Sequence, residues 1–197
     1  MTDLIATAAG AALVFAATNV DDVIVLTLLF VAARSTGSPR PWHIVGGQYL
    51  GIGALVVAAV VAAAGLLVVP DPWTGLLGLL PIALGVRALL ARRDDAEPPV
   101  VVGGLLGVVG VTIANGADNI AVYVPVFRAL DPVDGLVWLV VFAVLVGLWC
   151  AVAAGLGGHP AVVRLVDRAG HWLVPAVFVA IGVVILVSSG VLTHLAT

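Results

Sequence analysis

Six stretches of this chain, roughly 4–33, 44–69, 73–91, 100–127, 135–157 and 171–192, are apolar over about the 20 residues a helix needs to cross the ~30 Å hydrocarbon core of a bilayer. Nothing else in the sequence offers a competing fold. Hydrophobic residues make up 62% and charged residues 10%, with a mean hydropathy of +1.25, too little polarity to clothe a soluble domain. Period-two alternation is scarce, which argues against an outer-membrane barrel. Helices are the remaining way to satisfy a backbone in lipid. The expected fold class is therefore an all-α integral membrane protein of six transmembrane helices, a single domain over 1–197. The first apolar run lacks a basic flank and exceeds a signal-peptide core, so it reads as a span rather than a cleaved leader.

The connections are short and proline-rich: "RSTGSPRPWH", "PDP", "RRDDAEPP", "RALDPVD" and "GGHPAVVRLVDRA". All eight basic residues are arginine. Arg34, Arg40, Arg92, Arg93, Arg164 and Arg168 follow spans one, three and five, and Arg87 can snorkel to the same side; Arg128 stands alone on the other. That bias puts the arginine-rich loops in the cytoplasm and both termini outside. Trp42, Trp73, Trp138 and Trp172 fall near span ends, as an interfacial belt requires, with ordinary packing as the alternative. No basic tract suits nucleic acid. The lone Cys150 permits no intrachain disulfide.

Polar residues interrupt this apolar frame at two places. "ATNVDDVIVLTLLF" (17–30) sets Asn19, Asp21 and Asp22 inside the first span, and each charged acid there costs roughly 2.5–3.5 kcal/mol on insertion scales. "TIANGADNIAVYVPVF" (112–127) matches 15–30 at an offset of 97 residues, placing Asp118 on Asp21, Asn119 on Asp22 and Asn115 on Thr18. The same offset lays "AIGVVILV" (180–187) on "ALGVRALL" (83–90), whereas spans two and five match poorly. These correspondences predict two three-helix repeats, about 4–91 and 100–192. An odd number of spans per repeat makes them inverted, with a substrate site near the midplane where broken helices meet. Thr18-Asn19 in one span and Asn115-Gly116 with Pro125 in the other are the break signals.

The intramembrane polar set is Thr18, Asn19, Asp21, Asp22, Gln48, Tyr49, Asn115, Asp118, Asn119 and Tyr123. Nearly all offer oxygen, and two or three carboxylates suit a divalent cation. Helix–helix hydrogen bonding is the bland reading, even in weight for Thr18, Asn19 and Gln48 and poor for the three acids. Asp21 and Asp22 diverge by about 100° on a helix, so Asp21, which has an acidic repeat mate, ranks first. A thiolate from Cys150 would favour a soft metal, with plain packing as the commoner role. His43, His159, His171 and His194 lie at span ends or in loops and read as interfacial. "GQYLG" (47–51) and "GGLLG" (103–107) carry the spacing of close helix contacts, a weak signal among 23 glycines.

Taken together, "ATNVDDVIVL", "GQYLGI", "LLGLLPIALGVR", "VTIANGADNIAVYVPVF" and "GHWLVPAVFVAIGVVIL" resemble the CadD-type cadmium resistance transporters of the lysine-exporter superfamily, over nearly the whole chain. The resemblance implies a bacterial plasma-membrane exporter that removes Cd2+ from the cytoplasm, driven by protons. It implies a metal site at Asp21, Asp22 and Asp118 with Asn19, Asn115 and Asn119 beside them, while Thr18, Gln48, Tyr49 and Tyr123 are additional candidates. Oxygen donors by themselves would suit Mn2+ or Ca2+, so an exporter of Mn2+ or another divalent ion is the alternative. An amino-acid exporter is weaker, because no arginine lies deep in a span to meet a carboxylate. An intramembrane aspartyl protease is weaker still, since "NGAD" lacks the second glycine of that motif. The expected partners are membrane lipid, the divalent cation and protons, with no cofactor and no enzyme activity; homo-oligomerisation stays open.

Overall fold

In the computed structural model the described residues are 2–66, 75–90, 103–156, 176, 178–189 and 191, and among them every regular element is helical. The first apolar run is two helices, α1 (Thr2–Thr18) and α2 (Asp22–Thr36), set 63° apart. A glycine cap at Gly37, with φ of 75°, ends α2. The straight helix α3 (Pro41–Gly65) follows, started by a proline whose missing N–H costs nothing in the first turn. A 3-10 turn at Gly75–Gly78 leads into α4 (Leu79–Leu90). The fourth apolar run is again two helices, α5 (Gly104–Asn115) and α6 (Ile120–Ala129), bent by 75° across the 3-10 turn Ala117–Asn119. The straight α7 (Pro132–Leu156) and the shorter α8 (Phe178–Ser188) complete the described chain.

Two of these helices, α3 and α7, are individually long and apolar enough to cross a membrane, and the bent pairs raise the number to four if each is one span. Contacts at the helix ends show how far each pair extends along its straight neighbour. Near the start of α1, Thr7 donates to Asp134 in the first turn of α7. At the end of α2, Arg34 donates to the Ala154 carbonyl in the last turn of α7. The pair α1–α2 therefore runs along α7 from Asp134 to Ala154, a rise of about 30 Å. In the same way, a Cβ at Gly46, near the start of α3, would sit 3.3 Å from Leu105 in α5, while Arg128 at the end of α6 reaches the Leu66 carbonyl at the end of α3. The described residues thus hold two to four candidate crossings of the six expected. The third and sixth runs are present as α4 and α8, and parts of both lie outside the described residues.

Each straight helix packs on the broken pair of the other half: α3 along α5 and α6, α7 along α1 and α2. The glycines of "GQYLG" explain how closely α3 approaches. A Cβ on Gly47 would stand 2.6 Å from Val108, and one on Gly51 would stand 2.5 Å from Thr112. The "GGLLG" stretch makes no such contact at Gly104, which has a φ of 76° and open space where a Cβ would go. Gly78 and Gly182 bring the turn before α4 against α8, a Cβ on Gly78 lying 2.5 Å from the Gly182 carbonyl.

Aromatic rings fill the centre. Phe142 of α7 packs within 5.2–6.4 Å, centroid to centroid, of Phe15, Tyr123, Trp138 and Phe127. This corrects the belt reading for Trp138. It is only 6% exposed, and its indole nitrogen is buried with no hydrogen-bond partner among the described residues. Its place two turns into α7 looks peripheral in the sequence but faces α1, where it lies 3.8 Å from the Cβ position of Gly10. Trp42 is 58% exposed, as a belt residue would be; Trp73 and Trp172 lie outside the described residues.

Candidate metal site

Side chains that compete with the helix ladder build the first break. The Thr18 hydroxyl donates back to the Val14 carbonyl at 2.9 Å, and Asn19 Nδ2 donates to the Phe15 carbonyl at 2.9 Å. The chain restarts at Asp22, with Asp21 as its cap: Asp21 Oδ1 accepts from the Asp22 N–H at 3.1 Å. A helix N-terminus carries partial positive charge, which these two acids offset. The second break ends α5 at Asn115 and turns at Gly116, where a Cβ would stand 2.6 Å from Leu55 of α3. Asp118 sits in the 3-10 turn before α6, while Asp21 caps α2 and Asp22 begins it.

The two breaks meet through Asp22, which is 3% exposed. Its Oδ2 accepts from Gln48 Nε2 and its Oδ1 from Asn115 Nδ2, both at 2.6 Å. The same Asn115 nitrogen lies 3.2 Å from Asp21 Oδ2, so one amide bridges the two carboxylates. Ionised carboxylates accept only, and toward them the amide turns its nitrogen. The Gln48 oxygen is occupied in turn by the Thr112 hydroxyl, which donates across 2.8 Å. Asp21 and Asp118 are exposed.

A second network lies beside the first. Asn19 Nδ2 donates to Thr18 Oγ1 at 2.8 Å and to the Tyr123 hydroxyl at 3.0 Å. Thr18 and Tyr123 share a hydrogen bond of 3.1 Å, and Asn119 Nδ2 reaches Asn19 Oδ1 at 3.4 Å. Trp149 of α7 donates from Nε1 to the main-chain carbonyl of Asn19 at 2.7 Å. Asn19 and Tyr123 are fully buried.

The structure therefore gathers Asp21, Asp22, Gln48 and Asn115 into one cluster, and Thr18, Asn19, Asn119 and Tyr123 into its neighbour. Asp118 stands at the rim. Tyr49 is turned away: it is exposed, and its hydroxyl donates to the Ala143 carbonyl of α7 at 2.9 Å. Cys150 packs with Leu26, Leu29, Phe30, Ile44 and Val108 in an apolar cluster. Among the described residues no group of three His, Cys, Asp or Glu side chains is arranged to hold a metal. Any cation bound here would rely on amide, hydroxyl or main-chain oxygens besides the acids. Thr112 and Trp149 are absent from the sequence-derived set. Thr112 lies one turn before Asn115 and so shares its helix face, a signal the sequence contains. Nothing local marks Trp149.

A family model described as cadmium resistance transporter (Cad) matches residues 15–197, a span that includes both breaks. No curated protein and no solved structure matches the chain.

Proposed function

The chain belongs to the cadmium resistance transporter family, and on that premise we propose that it is a secondary exporter of divalent cations, Cd2+ foremost, which exchanges metal for protons across a bacterial plasma membrane. The cation binds where the two breaks face each other. Asp21, Asp22 and Asp118 supply the charge, and Asn19, Asn115 and Asn119 line the site.

The observation that carries this reading is the Asn115 amide held between the Asp21 and Asp22 carboxylates. Its N–H group stands where a positive ion would bridge the same two acids. An arriving dication displaces that donor, and rotation of the amide turns its oxygen toward the metal. The C-terminal ends of α1 and α5 present carbonyl groups at the breaks, the part of a discontinuous helix that suits cations. Protons that take the place of the metal on the carboxylates let the empty carrier return.

Six spans, two inverted repeats and extracytoplasmic termini belong to the same proposal. The equal offset of the two breaks supports it: α1 ends at Thr18 and α5 at Asn115, again 97 residues apart. So do the helix-end contacts. Thr7–Asp134 and Arg128–Leu66 mark one face, Arg34–Ala154 the other, as alternating spans require. A second reading, export of Mn2+, is favoured by the oxygen-only donors around the acids and by the apolar packing of Cys150.

Uptake of Cd2+, Mn2+ and Zn2+ into everted vesicles, with and without an imposed pH gradient, tests both readings. Gradient-dependent Cd2+ uptake is the expected result. Uptake of Mn2+ alone would favour the second reading, and no metal uptake by protein present at normal abundance would overturn the proposal.

A further inference from the structure

Gln48 and Thr112 form a relay that ends on Asp22. Gln48 is buried on α3 between Gly47 and Gly51. Those glycines let Val108 and Thr112 of α5 lie directly against α3, closer than any side chain would permit. At Gly51 the neighbour is the methyl side of Thr112: its Cγ2 lies 2.5 Å from the ideal Cβ position, its Oγ1 3.4 Å. The hydroxyl is thereby aimed at Gln48 Oε1, 2.8 Å away. With its oxygen held, Gln48 presents only its amide nitrogen to Asp22 Oδ2, at 2.6 Å.

We infer that Thr112 is a positioning residue for metal transport, acting through the Gln48 amide to fix the direction of the Asp22 carboxylate. Gln48 is then a support for the acid and not an oxygen ligand of the ion. The inference rests on Asp22 belonging to the metal site. Support of this kind matters because a carboxylate free to rotate loses part of its binding energy in being fixed. Hydrogen-bonded partners of metal ligands typically govern affinity or activity by about 10–100-fold.

Thr112 has two functions that two substitutions separate. Thr112→Val keeps the shape against Gly51 and removes the hydroxyl. Thr112→Ser keeps the hydroxyl and removes the methyl. Cd2+ uptake is measured in everted vesicles carrying the full-length chain at matched abundance, with KM and maximal rate determined separately. Thr112→Val is expected to raise KM by roughly tenfold or more, and Thr112→Ser to restore it to near the wild-type value. Gln48→Met, which keeps length without the amide, should raise KM similarly, and the double variant should be no worse than either single one. A wild-type KM for Thr112→Val, a defect in Thr112→Ser equal to that of Val, or additive effects in the double variant would each overturn the relay. If Thr112→Val does not accumulate, the KM of Gln48→Met decides. Asp22→Asn separates the two claims. Normal uptake by that variant removes the site and the relay with it, whereas lost uptake beside a normal Thr112→Val removes the relay alone.

Discussion

The indole nitrogen of Trp149 donates to the main-chain carbonyl of Asn19 across 2.7 Å, tying α7 to the break in the first span. In lipid an unpaired carbonyl has no water to turn to, so this bond stabilises the break itself. Trp149→Phe puts a smaller aromatic ring where the indole packs edge-on against Phe15 and removes the donor. It should lower stability by about 1–3 kcal/mol. A melting temperature in detergent equal to that of the wild type would show that another donor takes over.

The exposed acids should be needed for transport and dispensable for insertion. Asp21→Asn and Asp118→Asn are each expected to abolish Cd2+ uptake by everted vesicles while the protein stays in the membrane, since an amide is cheaper to insert than a charge. Normal uptake by Asp118→Asn at normal abundance would sink the multi-acid site.

Asp22→Asn should behave differently from Asp21→Asn. The new NH2 group would face the N–H donors of Gln48 or Asn115, one donor against another. We expect a loss of stability of about 1–3 kcal/mol in addition to lost transport. A thermal melt compares the two variants directly, and equal melting temperatures would argue against the two-amide clamp.

Gly51 and Gly53 offer a paired test of the α3–α5 contact. A Cβ at Gly51 collides with Thr112, while one at Gly53 meets nothing within 4 Å. Gly51→Ala should cost about 1–3 kcal/mol by overpacking. Gly53→Ala should be neutral or slightly stabilising. Equal stability of the two variants would mean that α5 shifts without strain.

Cys150→Ala should retain transport, because the thiol lies in an apolar cluster and removing one buried atom costs only about 0.5–1.5 kcal/mol. Loss of Cd2+ uptake with Mn2+ uptake preserved would instead make the thiol a selectivity ligand. The same background serves for topology. A cysteine at Val133 should react with an impermeant reagent added to whole cells, and one at Ser38 should not; the reverse pattern would invert the orientation.

The helix breaks were legible in the sequence because their cause is local. Thr18, Asn19 and Asn115 carry side chains that can bond to their own backbone, and the acids that follow suit a helix start. At the common offset spans two and five match poorly. Both α3 and α7 are 25 residues long and begin with proline, but their starts, Pro41 and Pro132, are 91 residues apart and not 97. The shorter α6 and its tight connection to α7 account for the change in register, so one fixed offset could not align all three spans. Thr112 escaped for a different reason: its partner Gln48 is 64 residues away, and only the glycine-mediated approach of α3 to α5 brings them together. Trp138 takes the packing alternative, because distance from a loop in sequence does not report which way a helix faces.

The reciprocal packing of straight and broken helices has a consequence for biosynthesis. The donor that satisfies the Asn19 carbonyl lies 130 residues further along the chain, on a helix made much later. Asp22 likewise waits for Asn115, 93 residues later. The first half therefore enters the membrane with its polar break unsheltered, and must keep lipid away from two carboxylates until the second half arrives. A chain that stops between them lacks both the Trp149 indole and the Asn115 amide that these groups meet in the finished protein.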